Sequence, residues 1–229
     1  MSILANSKFT YFNAAGKGDA TRLALAHGGI PFTDNRIAFP DWAALKPSTP
    51  FGQLPIIRLA DGTVISQQRA ILRLVGKETG LYPTDALAAA RVDEFMDALD
   101  SLTSDVNNAG RGLEPLEKAA ARKEAVTTGK VFDSITKLNE FIKKHGTNRH
   151  VVSDSLTVAD FLLAVLVSFT VSGWFDGVPT TAFTPFSEIC AVRKTVGALE
   201  TTKKYYAVLS EADKVKYSKS LLAMDQDFE

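Results

Sequence analysis

Ser66, Gln67 and Gln68 are the side chains best placed to bind something, because they stand where a strand gives way to a helix. Before them, two β-branched runs, Ile56 to Leu59 and Thr63 to Ile65, flank Asp61-Gly62, a dipeptide that supplies the positive φ angles of a two-residue hairpin turn. After them, apolar residues at positions 70, 71, 72, 74 and 75 start a helix. The amides and the free N–H groups of the first helical turn then form a polar cradle, and the positive end of the helix dipole suits it to a carboxylate or phosphate. Pro55 stands at the mouth of the first run, where a missing N–H is tolerable and a cis peptide bond would turn the backbone of Leu54 outward as a docking edge. Tyr11 is the other candidate. By position alone it reads as a core aromatic with its hydroxyl at the rim.

The elements that must hold these residues follow in order. Lys8 to Phe12 is a short strand, Ala20 to His27 a helix closed by Gly28-Gly29, and Pro31 to Ile37 a second strand. This βαβ unit crosses over right-handedly, and the hairpin and its helix complete a β-α-β-β-α order. Asp41 to Lys46 reads as one helical turn between Pro40 and Pro47. Gly80 stops the helix after the hairpin, and Leu81-Tyr82-Pro83-Thr84-Asp85 marks a boundary, giving an α/β domain over 1–81, a linker over 82–88 and an all-helical domain over 89–229. The first long helix, about Leu87 to Val106, has an apolar stripe of Val92, Phe95, Met96, Leu99 and Leu102. Its acidic stripe, Asp93, Asp97 and Asp100, reads as a solvated face, with a role near a ligand as the alternative. One helix is expected from about Glu117 to His145, with Val131, Phe132, Ile135, Leu138 and Ile142 inward. Thr157 and Asp160 form a capping-box variant before a buried apolar helix. Pro185 to Val196 and Glu200 to Leu209 are two more helices, and Ser210 to Asp213 would cap a last one reaching about Met224 and packing on the surface, with covering a ligand pocket as the alternative.

Composition narrows the functional classes. The chain has 229 residues, 45% of them hydrophobic, enough for a substantial core. Its 26 Lys and Arg balance its 26 Asp and Glu, so there is no basic field for nucleic acid or an anionic membrane. The most apolar run, Phe161 to Phe175, falls short of the roughly 20 residues of a bilayer span. The single Cys190 cannot form an internal disulfide and reads as packing, and Met1 to Lys8 lacks the pattern of a secretory signal, so the cytoplasm is the expected address. His27, His145 and His150 stand singly, without metal-ligand spacing.

The run Gln53-Leu54-Pro55, the hairpin, then Ser66-Gln67-Gln68-Arg69-Ala70-Ile71-Leu72-Arg73 resembles the glutathione-binding domain of the soluble glutathione transferases. The segment Tyr11-Phe12-Asn13-Ala14-Ala15-Gly16-Lys17-Gly18-Asp19-Ala20-Thr21-Arg22, with Trp42 and Lys46 in order after it, is similar to their sigma-like, tyrosine-dependent branch. The resemblance implies a thioredoxin-like first domain, a helical second domain, a homodimer formed through the helix after the hairpin and the first long helix, and no metal. It implies conjugation of glutathione, as co-substrate, to small hydrophobic electrophiles in detoxification. Tyr11 would be catalytic, its hydroxyl stabilising the thiolate by a hydrogen bond made at full strength only to the anion. Trp42 and Lys46 would reach the glycyl carboxylate, with Gln53 at the same end; Leu54 before Pro55 would pair with the cysteinyl unit; Gln67 and Gln68 would meet the γ-glutamyl carboxylate. Phe12 would border both substrates.

Three departures from the family pattern bear on this. Gln68 replaces a serine. Lys17 replaces an arginine near the tyrosine, keeping the charge but not the planar fork. Asp100-Ser101 replaces an acidic pair, leaving Asp100 as the carboxylate that would reach across the dimer to the glutathione amino group. For the second substrate the resemblance nominates Phe12, Ala14, Thr103, Asn107 and Leu162. Most are small or polar where prostaglandin-isomerising relatives present large aromatics, which points away from that isomerisation. Two other functions stay open: a weakly active binding or structural protein on this scaffold, and a glutathione-dependent isomerase or peroxidase.

Overall fold

The computed structural model describes residues 2–210 and 219–228. Four strands form one sheet in the order β2-β1-β3-β4, with β1 at Ser7–Phe12, β2 at Phe32–Ile37, β3 at Ile56–Arg58 and β4 at Val64–Ser66. β1 and β2 run parallel, Ser7 opposite Phe32 and Phe12 opposite Ile37, joined by α1 (Asp19–His27). β3 runs antiparallel to both β1 and β4. This is the expected β-α-β-β-α order, ending in α3 (Gln68–Thr79). Between β2 and β3 the chain winds through two 3-10 turns around the four-residue α2 (Trp42–Leu45).

The hairpin differs from expectation in one detail. Leu59 N–H donates to the Thr63 carbonyl at 2.8 Å, so three residues, Ala60, Asp61 and Gly62, make the turn. Only Gly62, at φ +91°, has a positive φ, and the Asp61 carboxylate instead accepts from Thr63 N–H at 2.8 Å. Three-residue hairpins place glycine at that left-handed position.

Helices make up the rest. α4 (Ala86–Asn108) opens on Asp85, whose carboxylate accepts from Ala88 N–H at 2.8 Å, and buries the expected stripe. Its acidic stripe is not simply solvated: Asp93 pairs with Arg73 at 2.7 Å and Asp97 with Arg69 at 2.9 Å, forming a charged seam against α3. The single helix expected from Glu117 to His145 is two, α5 (Pro115–Thr127) and α6 (Lys130–His145). Thr128 and Gly129 part them, Gly129 being extended at φ −99°, ψ −160°; a β-branched residue followed by glycine is a poor helical pair. α7 (Val158–Thr170) is apolar on every side and sits in the middle of the helical half. At its start the buried Asp160 accepts from the Thr157 backbone N–H and hydroxyl, at 2.9 and 2.7 Å, and from Val151 N–H at 3.0 Å.

α8 (Ser187–Ala198) and α9 (Glu200–Ala207) follow, and α10 spans Lys219–Leu222. The cap expected over Ser210 to Asp213 lies mostly outside the described residues. What is described of the end packs on α7 and α8: the fully buried Arg193 donates to the carbonyls of Ser220, Met224 and Gln226 and to the Ser168 hydroxyl, and its guanidinium lies 4.2 Å from the Phe228 ring centroid. Cys190 donates to the Phe183 carbonyl at 3.2 Å, and burial pushes its thiol up. No helix among the described residues is long and apolar enough to cross a membrane.

Candidate functional site

The segment after β1 turns sharply through Gly16 and Gly18 over the Tyr11 ring. A Cβ at Gly16 would lie 2.7 Å from the Tyr11 hydroxyl oxygen, and one at Gly18 would lie 2.4 Å from a ring carbon, so only glycine lets the backbone pass this close. Lys17 N–H then donates to the Tyr11 hydroxyl at 3.0 Å. Burial raises the phenol's pKa, and the Lys17 N–H and Arg22 offset that only in part. The result is a neutral hydroxyl whose oxygen is already occupied by a donor and whose own proton can be given to an anion.

Below the segment lies a feature that the sequence reading missed. Arg22, fully buried, donates to the carbonyls of Phe12 and Ala14 at 3.1 and 3.0 Å and to Asp19 and Asp34, both at 2.9 Å. Its guanidinium carbon lies 5.7 Å from the Tyr11 ring centroid. Asp19, also fully buried, accepts from Tyr206 of α9 at 3.2 Å, so the helical half reaches the Tyr11 segment through two side chains. The only sequence signal was the three-residue spacing of Asp19 and Arg22 on one helix.

Two cavities meet at this segment. The first, about 550 Å³, is polar and lined by Phe12, Lys17, Trp42, Gln53, Leu54, Pro55, Gln67, Gln68 and Asp100 among others. The Leu54–Pro55 peptide is cis. Gln67 takes φ +73°, ψ +114°, a conformation rare for a side-chain-bearing residue, and its amide donates to Gln53 Oε1 at 3.0 Å. Gln68 is 6% exposed, and its Nε2 is buried without a partner. Gln68 lines the cleft at the N-terminus of α3, a setting that suits a carboxylate-bearing ligand. Lys46 is exposed at the edge, its side chain beside Gly52 of the lining. Arg69 and Arg73, not nominated from the sequence, also line the cleft.

Lys17 and Asp100 are paired with each other. The Lys17 ammonium pairs with Asp100 at 2.9 Å, while the lysine's backbone N–H donates to Tyr11. Asp100 is engaged within its own chain by Lys17 and, at 2.8 Å, by Arg69. Burial opposes its charge, but those two cations outweigh it and hold its carboxyl below the ordinary range.

The second cavity, about 300 Å³, is lined by Tyr11, Phe12, Ala14, Thr103 and Asn107, as nominated, and by Phe39, Leu166, Phe169, Trp174 and Phe175. Leu162 is not among them. It is wholly buried, and Leu166, one turn further along α7, takes its place. The expected small and polar wall is corrected with it: aromatic rings dominate. Phe39 comes from the turn before α2 and Trp174 from the connection after α7, and neither position shows a periodicity that would have drawn attention to it. Phe12 and Lys17 line both cavities, and Tyr11 lines the apolar one. Among the described residues no three His, Cys, Asp or Glu side chains gather as a metal ion would need.

Comparison with known proteins agrees with this architecture. Residues 111–208 match the family model for the glutathione S-transferase C-terminal domain. A glutathione S-transferase of Ascaris suum is 33% identical over 175 residues, 75% of this chain and 82% of that protein. The hematopoietic prostaglandin D synthase of Gallus gallus is 32% identical over 69% of this chain and 76% of its own. Among solved structures, a prostaglandin synthase D of Nilaparvata lugens superposes with a TM-score of 0.78 at 26% identity, covering 90% of this chain and 98% of that one. With such identity sustained across most of both lengths, on a thioredoxin-like sheet and a helical second half, the chain belongs to the glutathione S-transferase family.

Proposed function

We propose that this protein joins the sulfur of glutathione to small hydrophobic electrophiles, with Tyr11 as the thiolate-stabilising residue. The observation that carries the reading is the place of the Tyr11 hydroxyl, which accepts from Lys17 N–H in the lining of the apolar cavity, next to Phe12 and Lys17, which line the polar cavity as well. Glutathione's carboxylates suit the helix N-terminus at Gln67-Gln68 and the edge occupied by Trp42 and Lys46, and its peptide backbone suits the strand-like edge at Leu54-Pro55. Its thiol loses a proton to solvent, the Tyr11 O–H donates to the sulfur anion, and the sulfur forms a bond to the electrophile's carbon while a leaving group departs or the product takes up a proton. A thiol of ordinary pKa ~8.5 is mostly protonated at neutral pH, and each unit by which the phenol lowers it is worth ~1.4 kcal/mol. The reading includes a sigma-like, cytoplasmic homodimer acting in detoxification, with the domain boundary over 82–88.

The test is retention on immobilised glutathione together with conjugation of a chlorodinitrobenzene, for the native chain and Tyr11→Phe. Retention and turnover in the native chain, with turnover alone lost in the variant, is the expected result. Retention without turnover in the native chain replaces the enzyme with a binding protein; turnover indifferent to the substitution removes Tyr11 from the mechanism.

A second reading, a glutathione-dependent isomerase, is favoured by the aromatic wall of the apolar cavity and by relatives named prostaglandin D synthases. Incubation with a prostaglandin endoperoxide, scored for isomerised product against conjugate, separates the two.

A further inference from the structure

Six aromatic rings run from the centre of the site to its outer rim. Tyr11 meets Phe12 edge-on, with centroids 5.5 Å apart. Phe12 stacks on Phe39 at 4.6 Å with 18° between planes, and Phe39 stacks on Trp174 at 6.1 Å with 25°. Trp174 then leans on Phe169 at 5.6 Å, and Phe169 meets Phe175 edge-on at 5.8 Å. All six line the apolar cavity.

Two members differ from the rest. Phe39 is 54% exposed and Trp174 is 56% exposed, although large aromatic side chains ordinarily bury most of their surface. They come from opposite halves of the molecule and meet only across the mouth of the cavity. Neither is needed to fill the core, since Phe169 and Phe175 already close the inner wall. Two exposed, nearly parallel rings in line with the reacting centre leave π surface for a ligand.

We propose that Phe39 and Trp174 form an aromatic clamp that selects flat, conjugated electrophiles over linear aliphatic ones. The physical basis is the difference between area and geometry. An alkyl chain in this cavity gains only from the apolar area it hides, wherever it lies. An aromatic ring gains the same area and can also join the Phe12–Phe39–Trp174 column as an offset-stacked or edge-to-face neighbour, which carries additional attraction. With the reactive carbon beside Tyr11, a planar ligand extends along the column toward the rim.

The inference deepens the transferase reading and rests on it for the reaction, but not for the binding. Conjugation of glutathione is therefore measured with two electrophiles, a chlorodinitrobenzene and an unbranched alkenal, for the native chain and for Phe39→Ala, Trp174→Ala, Trp174→Leu and Trp174→Phe. Binding of the flat dye anilinonaphthalene sulfonate is measured alongside. Because both side chains lie at the surface, the variants should fold, and thermal melts confirm it. The expected result is that the ratio of kcat/KM for the flat over the linear electrophile falls about fivefold or more in the two alanine variants. Trp174→Leu, which keeps apolar bulk without a ring, falls like alanine, whereas Trp174→Phe holds the native ratio. A native chain that conjugates both electrophiles and whose ratio is unmoved by any variant overturns the clamp and leaves the transferase reading standing. A native chain that conjugates neither, while dye affinity drops in Trp174→Ala and is kept in Trp174→Phe, overturns the transferase reading and supports the clamp. Dye affinity indifferent to all four variants in such a chain overturns both.

Discussion

The two cavities that share Phe12 and Lys17 are built in opposite ways. The polar one draws much of its lining from one stretch, Gly52 to Arg73, where a cis-proline, a hairpin and a helix start follow one another in the chain. The apolar one gathers residues from around positions 11–17, 39, 103–107 and 166–175, and no two of those segments are neighbours in sequence. The first depends on backbone groups in special conformations, such as Gln67 at φ +73°, together with the buried amide of Gln68. The second depends on which side chains happen to converge once the halves have packed. A site of the first kind fixes what is bound; one of the second kind can change its preference by single substitutions without disturbing its neighbour.

The comparison can be broken outright at the element common to both sides. Arg22→Met removes the guanidinium that holds the carbonyls of Phe12 and Ala14 and leaves Asp19 buried without its ionic partner. Such losses cost about 3–5 kcal/mol, so the melting temperature should fall by roughly 10 °C and both cavities should lose their ligands together. A variant that keeps one cavity's binding would show that the Tyr11 segment is held by something else.

The next largest effect falls on chemistry alone. Tyr11→Phe deletes a hydrogen bond to a charged sulfur, of order 1.5–3 kcal/mol, so kcat/KM for conjugation should drop roughly 10- to 100-fold. The pKa of bound glutathione's thiol, followed by thiolate absorbance, should rise by about one to two units. Unchanged thiolate absorbance would separate Tyr11 from the anion.

Gln68→Leu sharpens the contrast, because its two effects have opposite signs. In the free protein the buried Nε2 has no partner, so an apolar side chain of similar bulk should leave the melting temperature unchanged or raise it by a few degrees. The KM for glutathione should meanwhile rise about tenfold, since the same substitution removes a hydrogen bond to a charged group. The selectivity among electrophiles should not follow it, and a parallel change there would mean that the cavities are not separable.

The smallest effect lies far from both cavities. His150 faces the buried Asp160 at 3.2 Å; the hydrogen bond that its imidazole donates to that carboxylate raises the imidazole pKa, against an opposing contribution from burial. A folded pKa above the unfolded ~6.5 gives stability that is complete below ~6.5 and is lost as pH rises through the folded value. Relative to His150→Asn, the native melting temperature should therefore fall by about 1–2 °C between about pH 6 and about pH 9, while conjugation referred to thiolate concentration stays the same. A difference of the reverse sign would mean that the imidazole is neutral in the folded protein.

Chain-local features were readable before any coordinates. The order of strands, the cis-proline edge, the strand-to-helix cradle at Ser66 to Gln68 and the Thr157–Asp160 cap each depend on a few consecutive residues whose types permit few backbone conformations. Errors arose where competing local preferences were close. Thr128-Gly129 broke a helix that apolar periodicity alone would have continued, and Asp61-Gly62 served a three-residue turn rather than a two-residue one. On α7, where every side is buried, periodicity carries no information about which leucine faces the cavity, so the resemblance alone nominates Leu162, and the lining residue is Leu166 one turn on.

Charge and aromatic partnerships needed the fold. Whether the Lys17 ammonium serves Tyr11 or Asp100, whether Asp100 is already neutralised within its own chain, and whether Phe39 meets Trp174 are questions about distances between segments 83 and 135 residues apart. Sequence by itself determined the thioredoxin-like frame and the polar half of the site, because hydrogen-bonding geometry in a strand, turn or helix end is set by near neighbours. Only the packing of the helical half against the Tyr11 segment decided the aromatic wall, since van der Waals and π contacts depend on which surfaces come together and on nothing encoded in the intervening chain.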